Sequence, residues 1–447
     1  MTLIVFSIRQ VYHCVPAIYI AMERKELNIY ILGVAFMLVY CSNNVPSNAQ
    51  QSVTQAFHQS HPDFNLYGYF GLAIGFLTNA LTCALTPIIV TSIGTIPSLV
   101  IGGITFALFS VNLIWPINGL FYVFNGLAGV GTGLLWTAYG HCFAVSTTPE
   151  KISAHSAIFW VMYQCNMIAG NLVIVFNFSD VSSITNQSRI TVFSITAGLA
   201  LIGTVVFLFI KIPSDSASRE KFSIQSVVDI AISAFKLFYT SNALKTCFPI
   251  FISVGIAMGF YTGVYGTSVG NSLLITNCKQ AIGICGAMIG VGEVLGGIYA
   301  YFLQRFSRHS FVLISISGVF ATCGGVMVAL INLPNLAPLK ETYSLSISQL
   351  TPNVFLAAFG AFLLGLGDSC LETQLFYFLA EYYDEKDVIP AVAFFQFTNS
   401  IGCALCFIYS YYFTLIFHVC LILGLNMCAL VSIFVISLKY ISTVSAV

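Results

Sequence analysis

The spacing of charged residues constrains this sequence more strongly than any motif. Between Glu26 and Glu150 the only Asp, Glu, Lys or Arg residue is Asp63. A surface that faces water over so long a stretch needs many more charges, so the solvent around these residues must be lipid. Of the 447 residues, 58% are hydrophobic and 7% are charged, which is typical of membrane proteins. The formal net charge of +0 provides no basic field to attract nucleic acid.

Apolar runs long enough to cross a bilayer recur at near-regular intervals and define twelve predicted membrane segments. Segments 1 to 6 cover 27–46, 66–91, 95–115, 118–143, 154–177 and 190–211; segments 7 to 12 cover 244–268, 280–304, 309–331, 353–380, 388–413 and 416–439. Six segments on each side of a central polar stretch are typical of two-bundle transporters. The predicted fold is therefore an all-α membrane protein with twelve transmembrane helices in two pseudo-symmetric six-helix bundles. The predicted domains are an N-terminal lead (1–26), an N-terminal bundle (27–211), a cytosolic linker (212–243) and a C-terminal bundle (244–440).

The lead and the linker differ from the bundles. Residues 1–21 are apolar, but Arg9, His13 and Pro16 interrupt them, so they are too short and broken for a spanning helix. The charged stretch that begins at Met22 suggests that translation starts there; a signal peptide is the alternative. In the linker, apolar residues of 223–238 recur at helical spacing, which predicts either an interfacial amphipathic helix or an early extension of segment 7.

The Lys and Arg residues predict an orientation. If the N-terminus is cytosolic, most Lys and Arg residues fall on the cytosolic side, as the positive-inside rule requires. The exterior side then holds only Arg189, Lys279 and Lys340. The cytosolic side holds Arg24, Lys25, Lys151, Lys211, Arg219, Lys221, Lys236, Lys245, Arg305, Arg308, Lys386 and Lys439. Both termini are then cytosolic. The predicted location is the plasma membrane or an endolysosomal membrane. Glycosylation sequons at Asn177 and Asn186 fall in the exterior loop between segments 5 and 6, which predicts a glycoprotein.

Three acids fall inside predicted membrane segments: Glu293 in segment 8, and Asp368 and Glu372 in segment 10. A carboxylate in hydrocarbon costs several kcal/mol, so each acid must face a cavity, carry a proton or bind a cation. Asp368 and Glu372 are four residues apart and share one helix face. The pattern predicts a proton- or cation-coupling site. The alternative is that Glu372 is shallow and hydrated, and that Asp368 bonds neighbouring hydroxyls.

Uncharged polar and aromatic residues are candidates to line a solute path. They are Trp136, Tyr139, Trp160, Gln164, Asn171 and Gln396, although interhelical hydrogen bonding or packing would also account for them. Closely spaced glycines are expected to pack helices together: Gly129, Gly131, Gly133, Gly292, Gly296, Gly297, Gly365 and Gly367. The glycines of segments 4 and 10 occupy corresponding places in the two halves, which suggests parallel repeats.

Enzyme signatures are missing from the sequence. It contains no P-loop, G-x-S-x-G or H-E-x-x-H motif and no His/Cys cluster with metal-ligand spacing. No enzymatic activity, cofactor or metal is therefore predicted.

Several stretches resemble the uncoordinated-93-like branch of the major facilitator superfamily, over about residues 27 to 425. The matching pieces lie at residues 28–37, 68–69, 135–140, 158–160, 170–172, 263–267, 290–297 and 364–370. The resemblance implies twelve helices, no enzymatic activity, and either an orphan solute carrier or a regulator of potassium channels. It also implies a shared role for Asp368 more than for Glu372. The loop at 92–97 lacks the charges that are usual in the superfamily.

Two functional hypotheses follow. In the first, the protein moves a small solute or ion by alternating access, with proton or cation coupling. In the second, it is a non-transporting regulatory subunit of a potassium channel. In both, the surrounding partner is the lipid bilayer.

Overall fold

The computed structural model describes the backbone of residues 2–83, 85–148, 151–178, 184–212, 224–306 and 310–441. Side chains are described for 25–83, 85–148, 151–152, 154–178, 184–212, 231–306, 310–384 and 386–439. The described helices are α1 (Thr2–Ser60), α2 (Gly68–Thr82), α3 (Thr86–Ile93), α4 (Thr95–Ile114), α5 (Leu120–Ser146), α6 (Ile152–Asn177), α7 (Asn186–Phe207), α8 (Ile224–Thr240), α9 (Asn242–Gly259), α10 (Tyr265–Gly270), α11 (Cys278–Phe306), α12 (Ser310–Asn332), α13 (Val354–Tyr382), α14 (Glu385–Ser410) and α15 (Leu415–Ile436). Five-residue π-helices follow α9, at Phe260–Val264, and α15, at Ser437–Ile441.

The predicted all-α membrane architecture is confirmed. In the described chain, 11 helices are long and apolar enough to cross a membrane, and the bent pair α2 and α3 makes 12 when counted as one span. These two helices meet at 69°, so predicted segment 2 is bent rather than one straight helix. Gly94 joins α3 to α4 with a φ of 97°, a left-handed conformation that favours glycine.

Helix α1 is longer than the sequence suggested. The predicted segment ends at residue 46, whereas the helix continues to Ser60. The polar residues that look like the start of a loop are instead buried against other helices. Gln51 accepts from the Tyr69 backbone amide (3.0 Å), and Gln50 donates to Asn125 (3.0 Å). Hydrogen bonding removes most of the cost of placing these amides inside the bundle, so the helix continues.

The N-terminal lead (1–26) joins α1, whose backbone is helical from Thr2. The side chains of residues 1–24, including the interruptions that suggested a start at Met22, lie outside the described residues. The part of α1 that meets the criteria for a membrane span runs from Lys25 to Ser60.

The two halves repeat the same packing. In the N-terminal half, α5 packs on α2 and α4; in the C-terminal half, α13 packs on α11 and α12. Glycines lie at these contacts: a Cβ at Gly129 would lie 2.9 Å from the Asn79 nitrogen, and one at Gly367 would lie 2.8 Å from the Thr322 nitrogen. Helix α8 lies between the halves in sequence and is separate from α9, since the hydroxyl of Ser241 caps α9 by accepting from the Leu244 amide. The apolar linker residues therefore do not extend segment 7.

Candidate functional site

A cavity of about 150 Å³ lies between the two halves. Its walls come from α1, α2, α4, α5 and α6 of the N-terminal half, and from α9, the adjoining π-helix, α11, α13 and α14 of the C-terminal half. The seam between the bundles is therefore not solid. A cavity at this place in a two-bundle fold is where transporters bind solutes.

Glu293, Asp368 and Glu372 all line this cavity. Glu293 is 4% exposed and Asp368 is 7% exposed, while Glu372 is partly buried. Glu293 lies near the middle of α11 (Cys278–Phe306), and Asp368 lies at the middle of α13 (Val354–Tyr382). The two buried acids are therefore at mid-depth in the bundle, where a helix in a membrane is furthest from water.

Close packing of α11 on α13 brings the three acids together. A Cβ at Gly292 would lie 2.7 Å from the Leu366 nitrogen, and one at Gly365 would lie 2.8 Å from the Ile289 carbonyl carbon. Gly296 makes a similar approach to Ser369. Any side chain larger than hydrogen at these positions would force the helices apart. The glycines thus set the separation that places Glu293 beside Asp368.

The cavity lining described in the structure contains no basic side chain that would offset these acids. Among the described residues that line the cavity there is no Lys, Arg or His. The Tyr261 hydroxyl lies beside Asp368 and Glu293, and Oε2 of Glu293 is buried without a hydrogen-bond partner in the described structure. Apart from the acids, the titratable side chains among the described residues that line the cavity are three tyrosines, Tyr40, Tyr163 and Tyr261. An acidic cavity of this kind favours protons or cations.

Aromatic rings form the opposite wall, on the N-terminal half. The ring centroid of Tyr163 lies 4.9 Å from Tyr40, 5.2 Å from Trp136 and 5.6 Å from Trp160. The Tyr40 and Trp136 contacts are edge-to-face, an arrangement that aromatic pairs prefer. We call Tyr40, Trp136, Trp160 and Tyr163 the aromatic wall.

The structure brings together most of the polar candidates from the sequence. Trp136, Trp160, Gln164 and Gln396 line the cavity with the three acids. Two others lie elsewhere, contrary to the expectation that they line it. Tyr139 stacks on Phe159 at 4.1 Å within the N-terminal bundle. Asn171 is fully buried and accepts from Asn48 at 2.9 Å while donating to its own helix, so interhelical hydrogen bonding uses its amide.

The glycine candidates lie at close helix contacts. Gly129 faces Gly75 and also lines the cavity, and Gly131 faces Thr105. Gly297 differs from the others because it faces Trp160 of the opposite half, where a Cβ would lie 3.1 Å from the indole.

Sequence reasoning missed a stripe of cavity residues on α1. Tyr40, Asn43, Asn44 and Ser47 all line the cavity, at spacings of three, one and three residues. Residues at that spacing lie on one face of a helix, so the sequence could have indicated that they line a polar cavity together. Tyr163 and Tyr261 gave no such signal, because an aromatic residue in an apolar helix looks like ordinary packing.

The two sequons differ in their surroundings. Asn177 is the last residue of α6, is partly buried and donates its amide to the Val173 carbonyl at 2.8 Å. Asn186 is the first residue of α7 and is exposed. Ser179, which completes the first sequon, lies outside the described residues.

Hydrogen bonds join the halves on one side of the acids. At the end that carries residues 61–67 and 333–353, Gln55 donates to the Leu339 carbonyl (3.1 Å) and Tyr69 to the Pro338 carbonyl (3.0 Å). Further bonds join Asn271 to Gln55, Asn48 to Ile282 and Gln280 to Val175. Asn79 donates to Ser400 at the cavity itself (2.8 Å). We call the joined region, where 48–55 meets 266–282 and 337–339, the sealed end.

Comparison with known proteins gives consistent matches. The family described as "Ion channel regulatory protein UNC-93" matches residues 64–436. UNC93-like protein MFSD11 of Xenopus laevis is 31% identical over 413 residues, covering 88% of this chain and 92% of that protein. UNC93-like protein 3 of Arabidopsis thaliana is 22% identical over 408 residues, covering 87% of this chain and 81% of that protein.

Solved transporter structures share the fold. A POT family transporter in complex with 5-aminolevulinic acid has a TM-score of 0.64 at 12% identity, covering 93% of this chain and 96% of that chain. The nucleoside transporter NupG has a TM-score of 0.63 at 14% identity, covering 92% of this chain and 99% of that chain. At these identities the likeness concerns the fold alone, and it confirms the predicted all-α membrane fold.

Proposed function

This chain belongs to the UNC-93 family, and we propose that it is a multi-pass membrane carrier that moves a small solute by alternating access, coupled to protons or another cation. The observation that carries the proposal is the convergence of Glu293, Asp368 and Glu372 on a cavity between the halves, with no described basic residue lining it. The proposal includes no enzymatic step and no cofactor.

The cost of the acids supports a functional role. An Asp at the centre of a membrane helix costs about 2.5–3.5 kcal/mol, and Asp368 occupies such a position. A purely structural helix would avoid that cost with an uncharged residue. An exchangeable proton or cation at the cluster would lower the cost and link its occupancy to the conformation of the carrier.

The arrangement of contacts supports alternating access. The halves are joined at the sealed end, and the acids lie between that end and the opposite face. Rocking of one half against the other would break these few hydrogen bonds and form contacts on the other side. The Lys and Arg distribution supports an orientation in which the sealed end faces the exterior and both termini are cytosolic. We infer that in this orientation the cavity lies on the cytosolic side of the sealed end, in a protein of the plasma membrane or an endolysosomal membrane.

The test is solute-induced proton movement in proteoliposomes that contain a pH-sensitive dye. A defined panel of amines, amino acids, nucleosides and sugars is added one at a time to the unmodified protein, to Asp368→Asn and to Asp384→Asn. Asp384 is exposed at the end of α13 and makes no capping hydrogen bond, so its substitution is the matched control. We expect a response to at least one solute, retained in the control and lost in Asp368→Asn. An undiminished response in Asp368→Asn would remove the acid from the mechanism.

A second candidate function is regulation of an ion channel, which the description of the matched family favours. In this case the protein would bind a potassium channel and change its current without moving a solute. Current recorded with and without the protein tests this role. If Asp368→Asn changed the current as strongly as the unmodified chain, and no solute of the panel moved, the regulatory function would replace the carrier.

A further inference from the structure

We propose that the cavity binds a small organic cation, an ammonium compound held between the acids of the C-terminal half and the aromatic wall of the N-terminal half. This inference rests on the proposed carrier function and names its substrate class.

The charge of the cavity lining determines that the ligand is a cation. The three charged residues that line the cavity in the described structure are Glu293, Asp368 and Glu372, and all three are acids. Two of them are almost completely buried, so their field is weakly screened by water. An anionic solute would be repelled, and a sugar-like neutral solute would leave the acids without a counter-charge. A cation satisfies the cluster directly.

The aromatic wall distinguishes an organic cation from a metal ion. Hard inorganic cations take six or more oxygen ligands in a shell around the ion. Here one side of the cavity presents Tyr40, Trp136, Trp160 and Tyr163, whose rings pack at centroid distances of 4.9 to 5.6 Å around Tyr163. Indole and phenol faces attract ammonium groups and contact their methyl or methylene carbons. One wall thus suits the carbon of the ligand, and the other suits its charge.

The aromatic wall is held in place before any ligand binds. Phe36 packs behind it, with its ring centroid 5.7 Å from Trp136 and 5.6 Å from Tyr40. Phe159 packs on Tyr163 at 6.1 Å. Rings fixed in this way lose little freedom when a ligand arrives, which favours binding.

Unused acceptors remain for the N–H groups of an amine. Oε2 of Glu293 and Oδ1 of Asn399 are buried, lack a hydrogen-bond partner in the described structure and belong to cavity residues. Buried polar atoms are rarely left unpaired in native proteins, so a ligand that donates to them is the natural partner. The volume of about 150 Å³ limits the ligand size. An engineered protein cavity of about that volume holds benzene, so the ligand is a compact amine rather than a peptide.

The test uses two pairs of probes that differ mainly in charge. Choline is compared with 3,3-dimethylbutan-1-ol, in which a carbon replaces the ammonium nitrogen, and butylamine is compared with butan-1-ol. Binding is followed in nanodiscs by tryptophan fluorescence of a Trp115→Phe variant. The sequence has three tryptophans, so this variant retains only Trp136 and Trp160, both at the cavity. We expect at least one ammonium compound to bind saturably and at least tenfold more tightly than its neutral partner.

Three variants test where the preference arises. Glu293→Gln and Asp368→Asn are each expected to weaken ammonium binding at least tenfold without a similar effect on the neutral partner, and Asp384→Asn is expected to leave both unchanged. Thermal unfolding of each variant shows that it is folded; if one acid variant does not fold, the other still decides the question. Equal binding of charged and neutral partners, or an ammonium preference that survives both acid variants, would overturn the inference.

Binding and transport separate this inference from the carrier function. If another solute moves protons in the liposome assay and no ammonium preference exists, the substrate class is wrong and the carrier function stands. If ammonium compounds bind selectively but move nothing, the site is correct and the carrier function fails.

Discussion

Replacing Gly283 with Ala should push the two halves apart at the sealed end. Gly283 lies on α11 of the C-terminal half and packs directly on α6 of the N-terminal half. A Cβ at this position would lie 2.7 Å from the Asn171 carbonyl oxygen and 2.8 Å from Cβ of Ile174. Both distances are well below ordinary contact, which begins near 3.4 Å, and the atoms that would have to move include backbone.

The size of the effect follows from the cost of overpacking. Inserting a methyl group into a closely packed contact costs about 1–3 kcal/mol. The strain exists only while α6 and α11 are in contact, so it is relieved when the sealed end opens. A difference of about 1–3 kcal/mol corresponds to a shift of roughly 5–150-fold in a two-state equilibrium. Gly286 and Gly290 continue the same face toward Glu293, so the contact is coupled to the acids by one rigid helix.

The assay is a distance measurement between spin labels at Gln59 and Ser348. Both residues are exposed at the sealed end, one in each half. Gly283→Ala should enlarge the population with longer distances relative to the unmodified chain. Gly198→Ala is the matched control, because a Cβ at that position would meet no atom within 4 Å. If the distance distribution of Gly283→Ala matched that of the control, the reasoning about the sealed end would be refuted.

Two further predictions concern the proposed exterior side. Asn186→Gln should abolish an endoglycosidase-sensitive shift in gel mobility, and Asn177→Gln should leave that shift intact. The reason is that Asn186 is exposed, whereas the Asn177 amide is hydrogen-bonded within α6. Absence of any glycan would contradict the exterior placement of this loop. Lys279→Met should lower the free energy of unfolding by roughly 1–3 kcal/mol, because it removes the Lys279 donor from the buried Gly270 carbonyl and breaks its 2.7 Å ion pair with the partly exposed Glu341. Lys340→Met, at an exposed neighbouring site, should change it by less than about 0.5 kcal/mol, and equal thermal stability of the two variants would contradict this account.

The sequence could predict the class of the protein because hydropathy is a local property. A helix that crosses a bilayer must bury its own backbone and carry apolar side chains, and both requirements are visible within about 20 consecutive residues. The six-plus-six arrangement, the absence of basic residues at depth and the unusual acids at 293, 368 and 372 were therefore accessible without coordinates. The end of α1 was not accessible, because the polar residues that follow position 46 are buried by other helices rather than by their own sequence neighbours.

What the sequence alone determined is that lipid surrounds this protein and that its membrane-spanning segments are helices. What only the tertiary structure decided is which faces of those helices meet. Glu293 is 75 residues from Asp368 along the chain, and both lie far from Trp160, yet all three line one cavity. That meeting depends on the rotation and separation of helices, which are set by many small packing contacts such as those of Gly292 and Gly365. These contacts join residues that are distant in the sequence, so no short stretch of sequence predicts them together. The composition of the site could therefore be identified only from the packed helices.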